Sequence, residues 1–375
     1  MADIPIFRLE FEETFVKKFE RGVRDILHSD AMSEGRYVRK FEEKFKAFVH
    51  ADYAVAVSSG TAALEIALRA LDVRKKTVLM PTNTFFATSI AAVNAGADFR
   101  LLDIEGESLS IDPGALESAL QKSRKGEIGA VIIVHVGGII SAHMPEIIRI
   151  CKRYGAPLIE DAAHAHGSMR HGLSAGTIGA LGCFSFFPTK VMTTGEGGMV
   201  TTNDPALFEE SVSLKDFGRP ARNAYTFVRE QGANAKVPEM IGLFGVLECE
   251  RVRRRIARRN TLVRRYAKNL KSSGYVPVLQ SDGACSYYKC ILRLPRGIDP
   301  GKLKRFCKER GVSLTGEVYS VPLHEQPLYQ KKFADFSFPH ADLFCAHHIC
   351  PPLYPELSND EVDTVCQVLL QAEQL

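Results

Sequence analysis

No stretch of this 375-residue chain approaches the ~18 consecutive apolar residues that a membrane-spanning helix needs. Its nine cysteines, at 151, 183, 249, 285, 290, 307, 345, 350 and 366, are odd in number and contain no C-x-x-C pair. That spacing excludes a disulfide framework and a zinc site, and it reads as reduced thiols, mostly buried. The N-terminus, MADIPIFRLEFEETF, carries acidic residues and no apolar core, so a signal peptide is not expected. There is no internal repeat and no low-complexity tract. An excess of one charge sign is also missing: 48 Lys and Arg stand against 44 Asp and Glu, a net charge of +4 that points to no particular partner. With 45% hydrophobic and 25% charged residues, the composition is that of a soluble globular protein. The length suggests about two or three domains, and the cytoplasm is the expected compartment.

What is present is an alternation. Between Ala54 and about Thr202, short apolar β-rich runs alternate with segments of helical spacing, the runs lying at 54–57, 78–80, 99–102, 130–134, 157–159, 183–186 and 199–201. Most are apolar throughout, as strands buried on both faces of a parallel sheet are. Alternation of such strands with helices predicts a layered α/β domain, whose ligands bind beyond the carboxyl ends of the strands. Residues 10–50 have charged helical spacing, with Phe41, Phe45 and Phe48 at three- and four-residue steps. A long helix is expected over 240–270. After Gly274 the texture changes to shorter strands and helices, including 302–310 and a last helix from Asn359. The division expected is a large α/β domain over 1–255 and a smaller α+β domain over 256–375.

The stretch Leu158–Thr202, LIEDAAHAHGSMRHGLSAGTIGALGCFSFFPTKVMTTGEGGMVTT, carries the chemistry. Asp161 closes an apolar run and so sits where a parallel strand leaves the sheet. Lys190 follows a second apolar run and precedes Gly195, Gly197 and Gly198, which supply the backbone conformations of a hairpin-like turn. A carboxylate and a lysine on neighbouring strand ends are what pyridoxal phosphate chemistry requires. The lysine forms a Schiff base with the aldehyde, and the carboxylate keeps the pyridine nitrogen protonated. Burial would lower the lysine's pKa and free its amine. Read as an isolated residue, Asp161 is equally a helix N-cap; the lysine thirty residues on favours the chemical reading. His164, three residues after Asp161, is a candidate contact to the cofactor's phenolate oxygen or a structural imidazole.

A phosphate end is also legible. Val55–Val57 runs into Ser58, Ser59, Gly60 and Thr61 and then AALEIALRAL, with Leu64, Leu68 and Leu71 at helical steps. Strand, small polar turn and helix N-terminus together make an anion site from free amides and the helix dipole. Ser185 is a second candidate phosphate ligand, and Phe85, with Phe86 beside it, a candidate to stack on the pyridine ring.

These blocks together resemble the DegT/StrS family of pyridoxal phosphate-dependent sugar aminotransferases. The resemblance runs in order from SEGRYVRKFEEKF through SSGTAALEIAL, PTNTFFATSIAAVNAGA, the Asp161 block and FSFFPTKVMTTGEGG to GANAKVPEM, PLHEQPLY and LYPELSNDEVDTV. It implies the aspartate aminotransferase-like architecture (fold type I), a mostly parallel seven-stranded sheet flanked by helices, with a smaller C-terminal domain. It implies Lys190 as Schiff-base lysine and proton carrier, and Asp161 as the carboxylate on the pyridine nitrogen. Gly60, Thr61 and Ser185 match phosphate contacts, and Phe85 matches the stacking aromatic. Asn234 matches an asparagine that reaches the phosphate of the neighbouring subunit's site, so a homodimer with shared active sites is expected. By the same resemblance His324, in PLHEQPLY, approaches the substrate, and Tyr319 and Arg219 are candidate substrate or donor contacts. The chain departs from the pattern in three places. His164 stands where glutamine is frequent, His135-VGGIIS replaces an H-x-Y-G-x-P turn, and Lys236 replaces a common arginine.

The activity expected is transfer of an amino group from L-glutamate or glutamine to a keto sugar, of the nucleotide-linked keto-deoxy kind, by a ping-pong mechanism through Lys190. A cyclitol ketone as acceptor, or a dehydrating or aromatising reaction, is the alternative. A sister group of keto-sugar dehydratases carries histidine in place of the lysine, and Lys190 argues against that chemistry. RVRRRIARRNTLVRR, 251–265, holds eight arginines, a pattern shared with nucleic-acid binding. Glu248 and Glu250 just before it favour the exposed face of a helix instead. A non-catalytic regulatory protein is a further alternative. No metal, nucleic-acid or membrane partner is expected.

Overall fold

Strands that are apolar on every residue need a covering layer on both faces, and the computed structural model, which describes residues 3–220 and 228–373, supplies two. The strands are Tyr53–Val57 (β1), Thr77–Pro81 (β2), Asp98–Leu102 (β3), Ile128–Val134 (β4) and Leu158–Asp161 (β5). After a short hairpin of Met169–Arg170 (β6) and Leu173–Ser174 (β7) come Leu181–Ser185 (β8) and Gly198–Thr202 (β9). Seven form one sheet in the order β1-β9-β8-β5-β4-β2-β3. β9 runs antiparallel to both neighbours and the remaining pairs are parallel. Each of the seven expected runs is one of these strands.

The period-2 geometry of a strand sorts its residues between the layers. Ala54, Ala56, Leu79, Val131 and Ile133 point into one apolar cluster. Val55, Val57, Val78, Met80, Ile132 and Val134 point into the other. Full burial of a Val, Leu or Ile side chain stabilises by about 1.5–3 kcal/mol, so both faces contribute strongly. The helices are Glu13–Leu27 (α1), Arg36–Val49 (α2), Gly60–Ala70 (α3), Phe86–Asn94 (α4), Pro113–Lys122 (α5), Met144–Tyr154 (α6) and Pro205–Lys215 (α7). From α2, Phe41 and Phe45 meet Phe186 with ring centroids 5.0 and 5.3 Å away, and Phe45 also meets Phe184 at 4.9 Å.

Glu239–Asn269 (α8) is the spine. It packs against α1 and α2 and, at its far end, against Asn359–Ala372 (α11). Pro300–Lys308 (α9) packs on α11, and the same part of the chain holds Pro339–Ala346 (α10) and a small antiparallel sheet of Val276–Pro277 (β10), Leu292–Arg293 (β11) and His348–Ile349 (β12). The expected division at 255/256 falls inside α8, and one apolar cluster runs from the sheet into this C-terminal part.

Most of the arginines of α8 pair within the protein. Arg255 pairs with Glu356, Arg265 with Asp363, Arg254 with Glu12 and Arg251 with Glu248. Arg258 donates to the carbonyls of Pro355 and Leu357. The helix therefore ties the two ends of the chain together. All nine cysteines are free thiols, and every one but the half-buried Cys249 is buried. Among the described residues no helix is long and apolar enough to cross a membrane.

Candidate active site

The carboxyl ends of β1, β2, β5 and β8 open into one cavity of about 620 Å³. Its wall includes Gly60, Thr61, Phe85, Asp161, His164, Ser185, Lys190 and Tyr319. Residues distant in sequence meet here because parallel strands end together. The sheet register does the rest, since Gly198 of β9 faces Val57 on one side and Ser185 on the other. A Cβ on Gly198 would lie 2.2 Å from the Ser59 carbonyl oxygen, so only glycine lets the two strand ends close up.

At the β1 end, Ser59 caps α3, its hydroxyl accepting from the amide of Ala62 at 3.1 Å. The Gly60 and Thr61 amides begin the helix and, among the described residues, have no acceptor, which suits an anion. A Cβ on Gly60 would meet Ser185 Cβ at 2.7 Å, so the absence of a side chain is what leaves a cradle between them.

At the opposite side Asp161 is buried, with 6% of its surface exposed. Its Oδ1 accepts from the amide of Ala163 (3.2 Å) and its Oδ2 from the Thr88 hydroxyl (3.2 Å), which also pairs with Thr84 at 2.9 Å. Burial pushes the carboxyl above its usual range, while the Ala163 amide and the Lys190 charge pull it back. A cationic N–H facing it would hold it ionised.

Lys190 lies in the loop joining β8 to β9, its amide donating to the Phe187 carbonyl at 2.9 Å. Burial lowers its amine to about 8; Asp161 opposes that shift and Lys289 adds to it. Its Nζ lies 4.7 Å from the centre of the Tyr288 ring. His164 stacks on the same ring at 4.2 Å and an interplanar angle of 22°. Burial, with Lys190 and Lys289 behind it, holds this imidazole well below its ordinary pKa, so it is neutral at neutral pH. Its Nδ1 is buried without a hydrogen-bond partner among the described residues. An orphaned acceptor or donor in a cavity wall, a glycine cradle at a helix start and a lysine facing a carboxylate together fit a ligand with a phosphate, a phenolate oxygen and a ring nitrogen.

Three sequence candidates stand elsewhere. His324 lies outside the cavity lining, hydrogen-bonded through Nδ1 to the Thr82 hydroxyl at 2.8 Å, with its Nε2 3.0 Å from Asp342 Oδ1. With Glu325 and Asp342 it gathers three donor atoms, one of its ring nitrogens being hydrogen-bonded to Thr82. Arg219 pairs with Asp216, which also binds Lys236 at 2.6 Å. Asn234 bridges backbone to backbone with Asp216, away from the lining of its own chain's cavity. Phe85 and Phe86 lie ring against ring at the cavity edge, 3.9 Å between centroids, and both are about half exposed.

Sequence reading missed Tyr288, Thr84, Thr88 and Thr189. Thr88 had a signal, since it lies three residues after Phe85, in the first turn of α4. Tyr288 had none: it arrives from nearly a hundred residues beyond Lys190, and only the tertiary fold brings it in.

The sheet order, the lysine and the carboxylate define a pyridoxal phosphate-dependent enzyme of fold type I. The profile of the DegT/DnrJ/EryC1/StrS aminotransferase family matches residues 14–370, and the chain belongs to that family. Among curated relatives, the putative pyridoxal phosphate-dependent aminotransferase EpsN of Bacillus subtilis (strain 168) is 33% identical, covering 90% of this chain and 88% of its own. The GDP-perosamine synthase of Escherichia coli O157:H7 is 29% identical and covers 98% of both chains. Among solved structures, S. venezuelae DesV in complex with a ketimine intermediate superposes with a TM-score of 0.92 at 26% identity over 100% of both chains. The chain is thus a pyridoxal phosphate-dependent aminotransferase.

Proposed function

We propose that the amino group is moved from L-glutamate or glutamine to a keto sugar, specifically a nucleotide-linked keto-deoxy sugar, in two half-reactions that share Lys190. The observation that carries this reading is the joint presence of Lys190, Asp161 and the Gly60–Thr61–Ser185 cradle in a single cavity. The sugar acceptor is supported by the relatives, one of which is a perosamine synthase and another a UDP-4-amino-4,6-dideoxy-N-acetyl-beta-L-altrosamine transaminase.

In this reading the Gly60 and Thr61 amides, the Thr61 hydroxyl and Ser185 bind the phosphate. Phe85 would stack against the ring, and the unpartnered Nδ1 of His164 would be available to the phenolate oxygen. When bound, pyridoxal phosphate supplies an electron sink for cleavage of the C–H bond beside the donor nitrogen. Asp161, desolvated and backed by Thr88, orients the ring through its nitrogen. Lys190 Nζ would anchor the cofactor at rest and would serve as the base that takes the proton from the donor carbon. In the second half-reaction it moves the proton back, toward the sugar carbon. A lysine near 8 suits both tasks, being close to the working pH. Tyr319, Arg219 and His324 are retained as substrate-side candidates, Tyr319 alone among them lining the cavity. We also propose a homodimer in which Asn234 completes the partner's phosphate site, and two units divided near 255, with α8 as the shared helix.

The test is the visible absorbance of reconstituted protein before and after L-glutamate, followed by mass analysis of products from a panel of nucleotide-linked keto sugars. A band that bleaches with glutamate or glutamine, and one sugar that gains an amine, are expected. A band indifferent to both donors, or preferential amination of a cyclitol ketone, would overturn the donor or the acceptor assignment respectively.

A further inference from the structure

Residues 285–288 form a strap that reaches the cavity from the C-terminal part and is pinned from several sides. The Ser286 amide donates to the Ser168 hydroxyl at 2.9 Å, and the Ser286 hydroxyl donates to the His164 carbonyl at 2.8 Å. The Tyr288 amide donates to the Gly137 carbonyl at 2.9 Å. Gly138 permits this approach, since a Cβ there would lie 2.3 Å from Ser286 Oγ. Tyr287 has a φ of 44°, a left-handed conformation that a bulky residue keeps only where its surroundings impose it.

Arg259 helps to impose it. This arginine of α8 is 1% exposed. Its Nη1 donates to the carbonyls of Tyr287 (3.2 Å), Tyr288 (3.2 Å) and Leu353 (3.1 Å). A buried guanidinium bonded to carbonyls in place of a carboxylate is costly. The strap ends in the Tyr288 ring, which stacks on His164 at 4.2 Å and lies 4.7 Å from Lys190 Nζ. The Tyr288 hydroxyl bonds to Thr189, the residue before the lysine, at 2.9 Å. One ring thus touches the amine, the imidazole and the loop that carries the amine.

We propose that Tyr288 is a positioning residue: its ring holds the Lys190 amine and the His164 imidazole in register, and Arg259 acts through it by fixing its backbone. The inference rests on the aminotransferase reading of the cavity. A free lysine side chain has many rotamers to lose, and small displacements of a reacting group cost rate. No sequence motif carries this arrangement, because its two members lie on different parts of the chain.

Four proteins test it, all reconstituted with pyridoxal phosphate: Tyr288→Phe, Tyr288→Leu, Arg259→Met and the double Tyr288→Leu/Arg259→Met. The readouts are visible circular dichroism per bound cofactor, which reports how rigidly the ring is held, and the kcat and KM of the glutamate half-reaction. Tyr288→Leu is expected to lose most of the dichroism and about 10–100-fold in kcat, with KM within about threefold. Tyr288→Phe keeps the ring but loses the hydroxyl bond to Thr189, and is expected to fall between wild type and Tyr288→Leu on both measures. Arg259→Met should shift the same quantities in the same direction, and the double variant should be no worse than Tyr288→Leu alone, since both act through one ring. Wild-type dichroism and kcat in Tyr288→Leu would overturn the proposal, as would full additivity in the double variant. If Arg259→Met does not fold, the two Tyr288 variants decide alone. Failure of the wild-type protein to take up the cofactor or respond to a donor would instead remove the underlying reading, which keeps the two failures distinct.

Discussion

A lysine amine attacks an aldehyde only after losing its proton, and Lys190 reaches that state near pH 8, where an exposed lysine would remain charged. Cofactor capture by the apoprotein is therefore expected to rise about tenfold per pH unit below this value and to level off above it, in stopped-flow absorbance. The sign follows from the depressed pKa: raising the pH supplies the neutral amine. A profile that climbs without a break to pH 10 would show a lysine unaffected by burial. Lys190→Ala is expected to lower turnover by about 10⁴-fold or more while leaving the melting temperature near that of the native protein. Asp161 and Lys190 could be singled out because one ends an apolar run and the other stands between an apolar run and a glycine-rich turn. His324 was legible only as a motif member. Its imidazole bonds Thr82 and lies beside Asp342 outside the cavity lining, a placement that no local pattern encodes.

Whole strands were legible for a simple reason: those buried on two faces must be apolar on both, which distinguishes them from the amphipathic helices between them. Their order was not, because β9 inserts between β1 and β8 after four other strands have formed. That insertion sets Gly60 against Ser185, where a Cβ would come within 2.7 Å. Gly60→Ala is expected to weaken cofactor affinity about tenfold, since forcing a methyl into a packed site costs roughly 1–3 kcal/mol. Equilibrium titration of the apoprotein with pyridoxal phosphate would read it, and an unchanged Kd would remove Gly60 from the phosphate site. The turn after β4 was read as a departure, His135-VGGIIS. Its Gly138 is what permits the strap at Ser286 to approach His164.

At the scale of the molecule, Phe85 and Phe86 leave about half of their surface exposed at the cavity edge, and Asn234 lies outside its own chain's cavity lining. Both suit a second copy that covers the rim, in the isologous manner usual for homodimers. Mixing Lys190→Ala with Asn234→Ala subunits then regenerates one intact site per mixed dimer. About a quarter of wild-type activity is expected after full exchange if each single variant is inactive, because half the dimers are mixed and each has one good site. Activity that never exceeds the sum of the separate variants would exclude sharing through Asn234. The arginine run of α8 likewise finds its meaning only at this scale, as ties from Arg254 to Glu12 and from Arg255 to Glu356.

Local chemistry and periodicity determined which segments are strands, to within two residues at their ends, and singled out a lysine, a carboxylate and an anion-binding helix start. These are short-range properties, written within a few residues of one another. Tertiary structure decided which strand ends meet, how deeply Lys190 and Asp161 are desolvated, and that Tyr288 and Arg259 stand behind them. Burial and contact across a hundred residues are sums over the whole packed chain, and no local pattern of side chains encodes them.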